Sequence, residues 1–141
     1  MGRVLGIQNE SQLTQSCVAW FRLQFPRLRD VLIHVPNEGK RNTKLIRTKT
    51  GYKTVCTSAQ RLRAEGMVPG VADLILLTPR KGYGCLCIEM KTERRGSKQR
   101  DTQVEWEKAA TAAGNKYVVV RTFDEFMAVV CDYLDADFMM N

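Results

Sequence analysis

The sequence contains no apolar run of the ~18 residues that a bilayer-spanning helix needs, so no helical membrane protein is expected. Its opening segment, MGRVLGIQNESQL, lacks a long apolar core and a small-residue cleavage site, so no secretory leader is expected either. Histidine occurs once, at His34. A single imidazole cannot build a multi-histidine metal site, and on a short strand before Pro36 it reads as structural rather than as a catalytic base. The five cysteines (17, 56, 85, 87 and 131) are an odd number and form no CxxC pair. That speaks against a disulfide framework and a zinc knuckle, and for free core thiols in a reducing compartment. Cys85 and Cys87, two apart, would share one face of a strand.

Basic residues are missing from the C-terminal end: positions 122–141 hold five acids and none of the 22 Lys and Arg. The rest of the chain is therefore strongly basic, with the excess concentrated in 40–63 and 91–100. Two basic blocks flanking a carboxylate cluster suggest a polyanionic partner, nucleic acid above all. With 141 residues, 44% of them hydrophobic, the chain can bury a real core but divides poorly into two domains. One domain over 1–141 is expected.

Hydrophobic periodicity sets the elements. Asn9 is placed to cap a helix running to about Gln24, with Leu13, Cys17, Trp20 and Phe21 on its buried stripe. Val31–Val35 reads as a short strand. From Lys40 to Lys53 the chain is basic, polar and aperiodic, so it reads as a mobile loop, followed by a helix over Thr54–Gly66. Val71–Thr78 and Gly84–Lys91 are strand-like runs joined through residues 79–83, which predicts a hairpin. A helix over Asp101–Ala113 and a strand over Tyr117–Arg121 follow. Thr122 and Glu125 form a capping box for a last helix that buries Phe126, Val129, Val130, Tyr133 and Leu134. The order α-β-α-β-β-α-β-α describes an α/β domain with a mixed β-sheet flanked by helices.

The hairpin carries the chemistry. With 79–83 as the loop, Thr78 pairs with Gly84, Leu77 with Cys85, Ile75 with Cys87, and Asp73 with Glu89. Lys91 lies one step further on the face of Glu89. Two carboxylates directly opposed on neighbouring strands repel, and ordinary sheets avoid them. A hard divalent cation, which takes oxygen ligands from one or two carboxylates and keeps several waters, would compensate. The plain alternative is a surface hairpin with polar ends.

These residues also form a familiar pattern. Gly66-Met67-Val68-Pro69-Gly70-Val71-Ala72-Asp73-Leu74, followed by Ile88-Glu89-Met90-Lys91-Thr92, resembles the VRR-NUC family of the PD-(D/E)XK nuclease superfamily. Pro36-Asn37-Glu38-Gly39 upstream, Gln103-Val104-Glu105-Trp106 downstream and the Gly114…Tyr117-Val118-Val119-Val120 strand fall in the family's order. The resemblance runs from about Glu10 to Leu134. It implies a PD-(D/E)XK (restriction-endonuclease-like) core and a metal-dependent DNA endonuclease that hydrolyses phosphodiester bonds with one or two Mg²⁺ or Mn²⁺ ions. On the family pattern Asp73 and Glu89 bind the metal, with the Met90 backbone carbonyl as a further ligand. Lys91 orients or deprotonates the attacking water and stabilises charge on phosphorus. Glu10 matches the acidic residue of the first helix, touching the metal directly or through water, and Gln103 matches the active-site glutamine. Ala72 departs from the proline common before the catalytic Asp. Arg100 stands where a capping serine is common, so that Asp101 or Ser97 takes over the cap.

Stand-alone members of the family resemble Holliday-junction resolvases, which implies a homodimer acting on branched DNA in phage or bacterial replication or repair. The location implied is the cytoplasm of a bacterial cell, or of the host cell if the protein is phage-encoded. The candidate DNA contacts are Asn37, Lys40, Arg41, Lys44, Arg47, Lys49 and Lys53 on the basic segment, and Arg94, Arg95 and Lys98 after the Glu-Met-Lys strand. The rival readings are a nicking or non-specific endonuclease without branch preference, and a non-catalytic nucleic-acid-binding module. A restriction-type enzyme that reads base sequence is a weaker third.

Overall fold

The computed structural model describes residues 9–36, 43–56, 59–92 and 100–136. Helix α1 (Glu10–Gln24) starts as the sequence predicts. The Asn9 side chain accepts from the Gln12 N–H at 2.8 Å, and the Gln12 side chain accepts from the Asn9 N–H at 3.1 Å. A 3₁₀ turn at Pro26–Val31 leads into strand β1 (Leu32–His34). Strands β4 (Leu74–Leu76) and β5 (Leu86–Met90), helix α3 (Asp101–Ala112), strand β6 (Lys116–Val120) and helix α4 (Phe123–Leu134) complete the core.

The sheet runs β1-β4-β5-β6, antiparallel at its first two pairings and parallel between β5 and β6. It is the mixed sheet that the sequence predicts. Helix α3 forms the crossover that a parallel pair requires.

One face of the sheet takes the larger core. Leu74, Leu76, Leu86, Ile88, Met90 and Val120 pack with Leu13, Cys17 and Phe21 of α1 and with Phe126, Val130 and Tyr133 of α4. Each of these large side chains contributes roughly 1.5–3 kcal/mol by leaving water. Trp20, expected in the α1 stripe, is half-buried and meets Phe25, Phe123 and Phe126 edge-on. The other face is thinner. Ala72, Cys87 and Ala110, with Cys85, Trp106 and Tyr117 beside them, join it to α3. Cys85 and Cys87 do share a face, with their sulfurs 3.8 Å apart.

Two readings of the basic segment require correction. Residues 43–56 are not a loop: they form an antiparallel ribbon of β2 (Thr43–Thr48) and β3 (Gly51–Cys56), turned at Lys49-Thr50, with Gly51 opening β3 at a φ of +140°. Consequently the helix read from Thr54 begins only at Ala59, as α2 (Ala59–Ala64). A free ribbon needs no apolar face, so the period-2 alternation that marks a half-buried strand is missing. β-branched Thr43, Ile46, Thr48, Thr54 and Val55 carry the propensity instead. Among the described residues the ribbon joins no other strand.

Two caps also differ. The Thr122 side chain accepts from the Glu125 N–H, but Glu125 accepts from Arg121 rather than completing the box on Thr122. Asp101 is the first residue of α3 and not its cap, and Ser97 lies outside the described residues. The cap position belongs to Arg100, whose guanidinium cannot accept a hydrogen bond. Gln103 answers from inside the helix by accepting the Arg100 N–H at 2.8 Å.

Candidate active site

The hairpin between β4 and β5 positions the site. Its ladder pairs Leu74 with Ile88, Ile75 with Cys87 and Leu76 with Leu86, which is the register predicted from the sequence. One step beyond, Asp73 stands opposite Glu89. The turn itself is tighter than the five-residue loop expected. Lys81 and Gly82, with φ of +52° and +83°, form a two-residue turn closed by paired bonds between Arg80 and Tyr83. Positive φ at both central positions is the requirement of a type I′ turn. The pairs expected between Thr78 and Gly84 and between Leu77 and Cys85 are absent. Gly84 donates to Gly114 and Leu77 donates to Val31 instead. The slip is absorbed before the ladder begins, so the far end keeps its register.

Asp73 is fixed on both sides. Its carbonyl accepts from the Val35 N–H at 2.8 Å and from His34 Nδ1 at 3.1 Å. His34 is thus a structural partner of the Asp73 backbone, as its sequence position suggests. The Asp73 carboxylate reaches across the strands, where Oδ2 accepts the Met90 N–H at 2.8 Å.

Glu89 is 1% exposed. It is the fourth of five residues in β5, an interior strand with β4 on one side and β6 on the other. Oε2 accepts from Gln103 Nε2 at 3.1 Å, so the Gln103 amide is held at both ends, by Arg100 and by Glu89. Burial pushes the Glu89 carboxyl up from 4.5 to about 9, helped by its hydrogen bond to Asp73 and by the negative charges of Asp73 and Glu10, against the pull of Lys91. Lys91, 7% exposed, extends β5 by donating its N–H to the Val120 carbonyl at 2.9 Å.

The structure therefore brings Asp73, Glu89, Lys91 and Gln103 together from a turn, a strand and a helix. Glu10 is exposed at the first residue of α1 and reaches the site as a like charge on Glu89. Among the described residues no three His, Cys, Asp or Glu side chains converge as a ready ligand set. Of the candidate DNA contacts, Arg47, Lys49 and Lys53 are exposed on the β2–β3 ribbon, and Lys44 lies on β2. Asn37, Lys40, Arg41, Arg94, Arg95 and Lys98 lie outside the described residues.

Two contributors escaped the sequence reading. Arg121 donates to the Thr92 carbonyl at 3.3 Å, tying down the end of the Glu-Met-Lys-Thr segment. Its signal was a lone basic residue directly after the last strand. Gly70 packs its backbone against α3, which only coordinates reveal.

The donor set suits a small hard cation. Glu89, buried against the Asp73 carboxylate, carries its charge only at a cost, and beside one ammonium the pair leaves a demand for positive charge that a dication meets. Mg²⁺ takes few protein oxygens and retains its waters. Two carboxylates and a backbone carbonyl match that demand better than a closed cage would.

No family model and no curated protein matches the sequence. A solved structure titled "VRR_NUC domain protein" matches over 92% of this chain and 91% of its own, with a TM-score of 0.71 and 21% identity. The chain shares the fold of that VRR_NUC domain protein, a mixed α/β fold of the kind its motif order implies. Among the described residues no helix is long and apolar enough to cross a membrane.

Proposed function

We propose that this protein is a metal-dependent DNA endonuclease acting on branched DNA. The observation that carries the reading is the pairing of half-buried Asp73 with buried Glu89, whose carboxylates accept from the Met90 N–H and from Gln103. Asp73, Glu89 and the Met90 carbonyl would hold Mg²⁺ or Mn²⁺, and Glu10, whose charge is felt at Glu89, would act directly or through water. A divalent ion there supplies Lewis-acid charge that makes water nucleophilic at neutral pH and neutralises a phosphate oxygen.

The chain's own residues do the rest. Asp73 and Glu89 fix the position of that charge, and Gln103 keeps the Glu89 carboxylate from rotating away. Lys91, at the end of the same strand, offers an ammonium that orients the attacking water and holds the charge that develops on the phosphoryl oxygens. The β2–β3 ribbon presents Arg47, Lys49 and Lys53 to solvent without an acidic residue between Gly39 and Ala64. That is the electrostatics of a phosphate-contacting arm. A homodimer would set two such sites on opposed strands, the arrangement that symmetrical junction cleavage requires.

The test is cleavage of matched linear, flap and four-way-junction DNAs with Mg²⁺ or Mn²⁺, wild type beside Asp73→Asn. Asparagine keeps the acceptor for Met90 N–H and removes the charge. Preferential cutting of the junction by wild type alone supports the full reading. Equal cutting of linear duplex reduces it to a non-specific endonuclease. Activity in Asp73→Asn, or none in wild type, sinks it.

A further inference from the structure

Gly70 lies three residues before Asp73, in the turn entering β4, with φ of +85°. Its Cα presses on the first turn of α3. A Cβ there would run into the Thr102 carbonyl and stand 2.8 Å from the Gln103 amide nitrogen. These are backbone atoms within a helix, so neither can swing aside. Gly82 and Gly66 also have positive φ, +83° and +109°, yet a Cβ at either would meet nothing within 4 Å. Backbone conformation accounts for those two glycines. At Gly70 there is a second demand, the close approach of two backbones.

We infer that Gly70 is a positioning residue for the site, setting Gln103 against Glu89 through its backbone contact with α3. The interactions close a ring. The Gly70–Asp73 segment joins β5 through Asp73 Oδ2 and the Met90 N–H, and β5 joins α3 through Glu89 and Gln103. Helix α3 returns to the segment at Gly70. A methyl group inserted at that last link pushes the first turn of α3 outward and draws Gln103 Nε2 off the Glu89 carboxylate. The kinetic consequence rests on the nuclease reading, and the geometric one does not.

The test pairs Gly70→Ala with Gly82→Ala, which carries the same φ penalty and no collision. In wild-type protein, an NOE is expected from the Gly70 Hα protons to the Gln103 backbone amide proton. The Gln103 side-chain amide resonances, identified by their loss in Gln103→Ala, are expected to move in Gly70→Ala and to stay in place in Gly82→Ala. In cleavage assays Gly70→Ala should lower kcat by about tenfold or more with little change in KM, the range for removing a group that orients a metal ligand. Gly70→Ala combined with Gln103→Ala should cut no more slowly than Gln103→Ala alone.

Absence of that NOE in wild type, unmoved Gln103 resonances in Gly70→Ala, or multiplying losses in the double variant each overturn the inference. The wild-type NOE decides it even if Gly70→Ala does not fold. A wild type that cuts no DNA strikes the nuclease reading alone and leaves the spectroscopic result standing.

Discussion

Replacing Glu89 by Gln in the metal-free protein is expected to raise stability at neutral pH, whereas removing one partner of a buried interaction ordinarily lowers it. The Glu89 carboxyl is raised from 4.5 to about 9 in the folded state, first by burial and then by Asp73. Between those two values the folded protein keeps a proton that the unfolded chain releases. Unfolding free energy therefore falls as pH rises, by about 1.4 kcal/mol per pH unit. The favourable situation is complete below 4.5, and the full penalty is reached above about 9. At pH 7.5 the wild type has lost up to about 4 kcal/mol by this route. The glutamine of Glu89→Gln would reproduce the protonated acid without titrating. Its carbonyl accepts from Gln103 Nε2 where Oε2 did, and its amide donates to Asp73 where the carboxyl proton did.

Urea unfolding in EDTA, from pH 5 to pH 9, reads the effect directly. Wild-type stability should decline across the range relative to Glu89→Gln, leaving the variant ahead at pH 7.5. Millimolar Mg²⁺ should then restore the wild type and leave the variant unmoved, because binding to the folded state alone adds RT ln(1 + [L]/Kd). Parallel curves, or a gain below about 1 kcal/mol at pH 7.5, would refute the assignment of Glu89 as a buried, proton-sharing carboxylate.

Three further outcomes follow from separate interactions. Gln103→Ala should weaken Mn²⁺ binding by about 10–100-fold in calorimetry, as removing the hydrogen-bond partner of a metal ligand does; unchanged affinity removes Gln103 from the site. Arg47→Ala with Lys49→Ala, placed on an Asp73→Asn background, should flatten the plot of log K against log salt by up to about 0.9 for each phosphate the arm no longer neutralises. An unaltered slope takes the ribbon off the DNA. Tyr133→Phe removes a buried hydroxyl that donates to the Thr78 carbonyl at 2.7 Å. The orphaned acceptor should cost about 1–3 kcal/mol in urea melts, and a neutral result shows that water replaces the donor.

The geometry of the candidate site was legible because its elements obey strong local rules. A tight turn between two apolar runs fixes cross-strand pairing, and the pairing of Ile75 with Cys87 leaves Asp73 facing Glu89. That reading held although the turn is two residues and not five, since the adjustment occurs at 77–79 and 84–85, before the ladder. Helix starts were legible where a side-chain oxygen caps a backbone N–H, at Asn9 and Thr122. At α3 no such residue exists, and the helix is capped from within by the same glutamine that holds Glu89. The β2–β3 ribbon was hidden because its two strands carry no period-2 apolar alternation, and among the described residues it joins no other strand. Gly70 was visible as a turn glycine, but its contact with Thr102 and Gln103 depends on where α3 comes to rest, which no local pattern encodes.

Strand β5 shows why Glu89 could be singled out at all. Lying between β4 and β6 and covered on both faces, it is buried at every position from Leu86 to Met90. Such a strand is expected to read as a continuous apolar run, and Leu-Cys-Ile-Glu-Met does so except at one residue. A Glu on an exposed edge would carry no information, because charge there is the default. A Glu within a buried strand contradicts its surroundings and costs stability unless its charge is met. The neighbouring groups are arranged to retain it: Gln103 on Oε2, Asp73 across the strands, Lys91 two residues on. Sequences that specify a fold agree with it at every level except where function demands otherwise. The candidate site is the place where this chain breaks its own pattern, and Asp73→Asn removes the neighbouring charge while keeping an acceptor for the Met90 N–H.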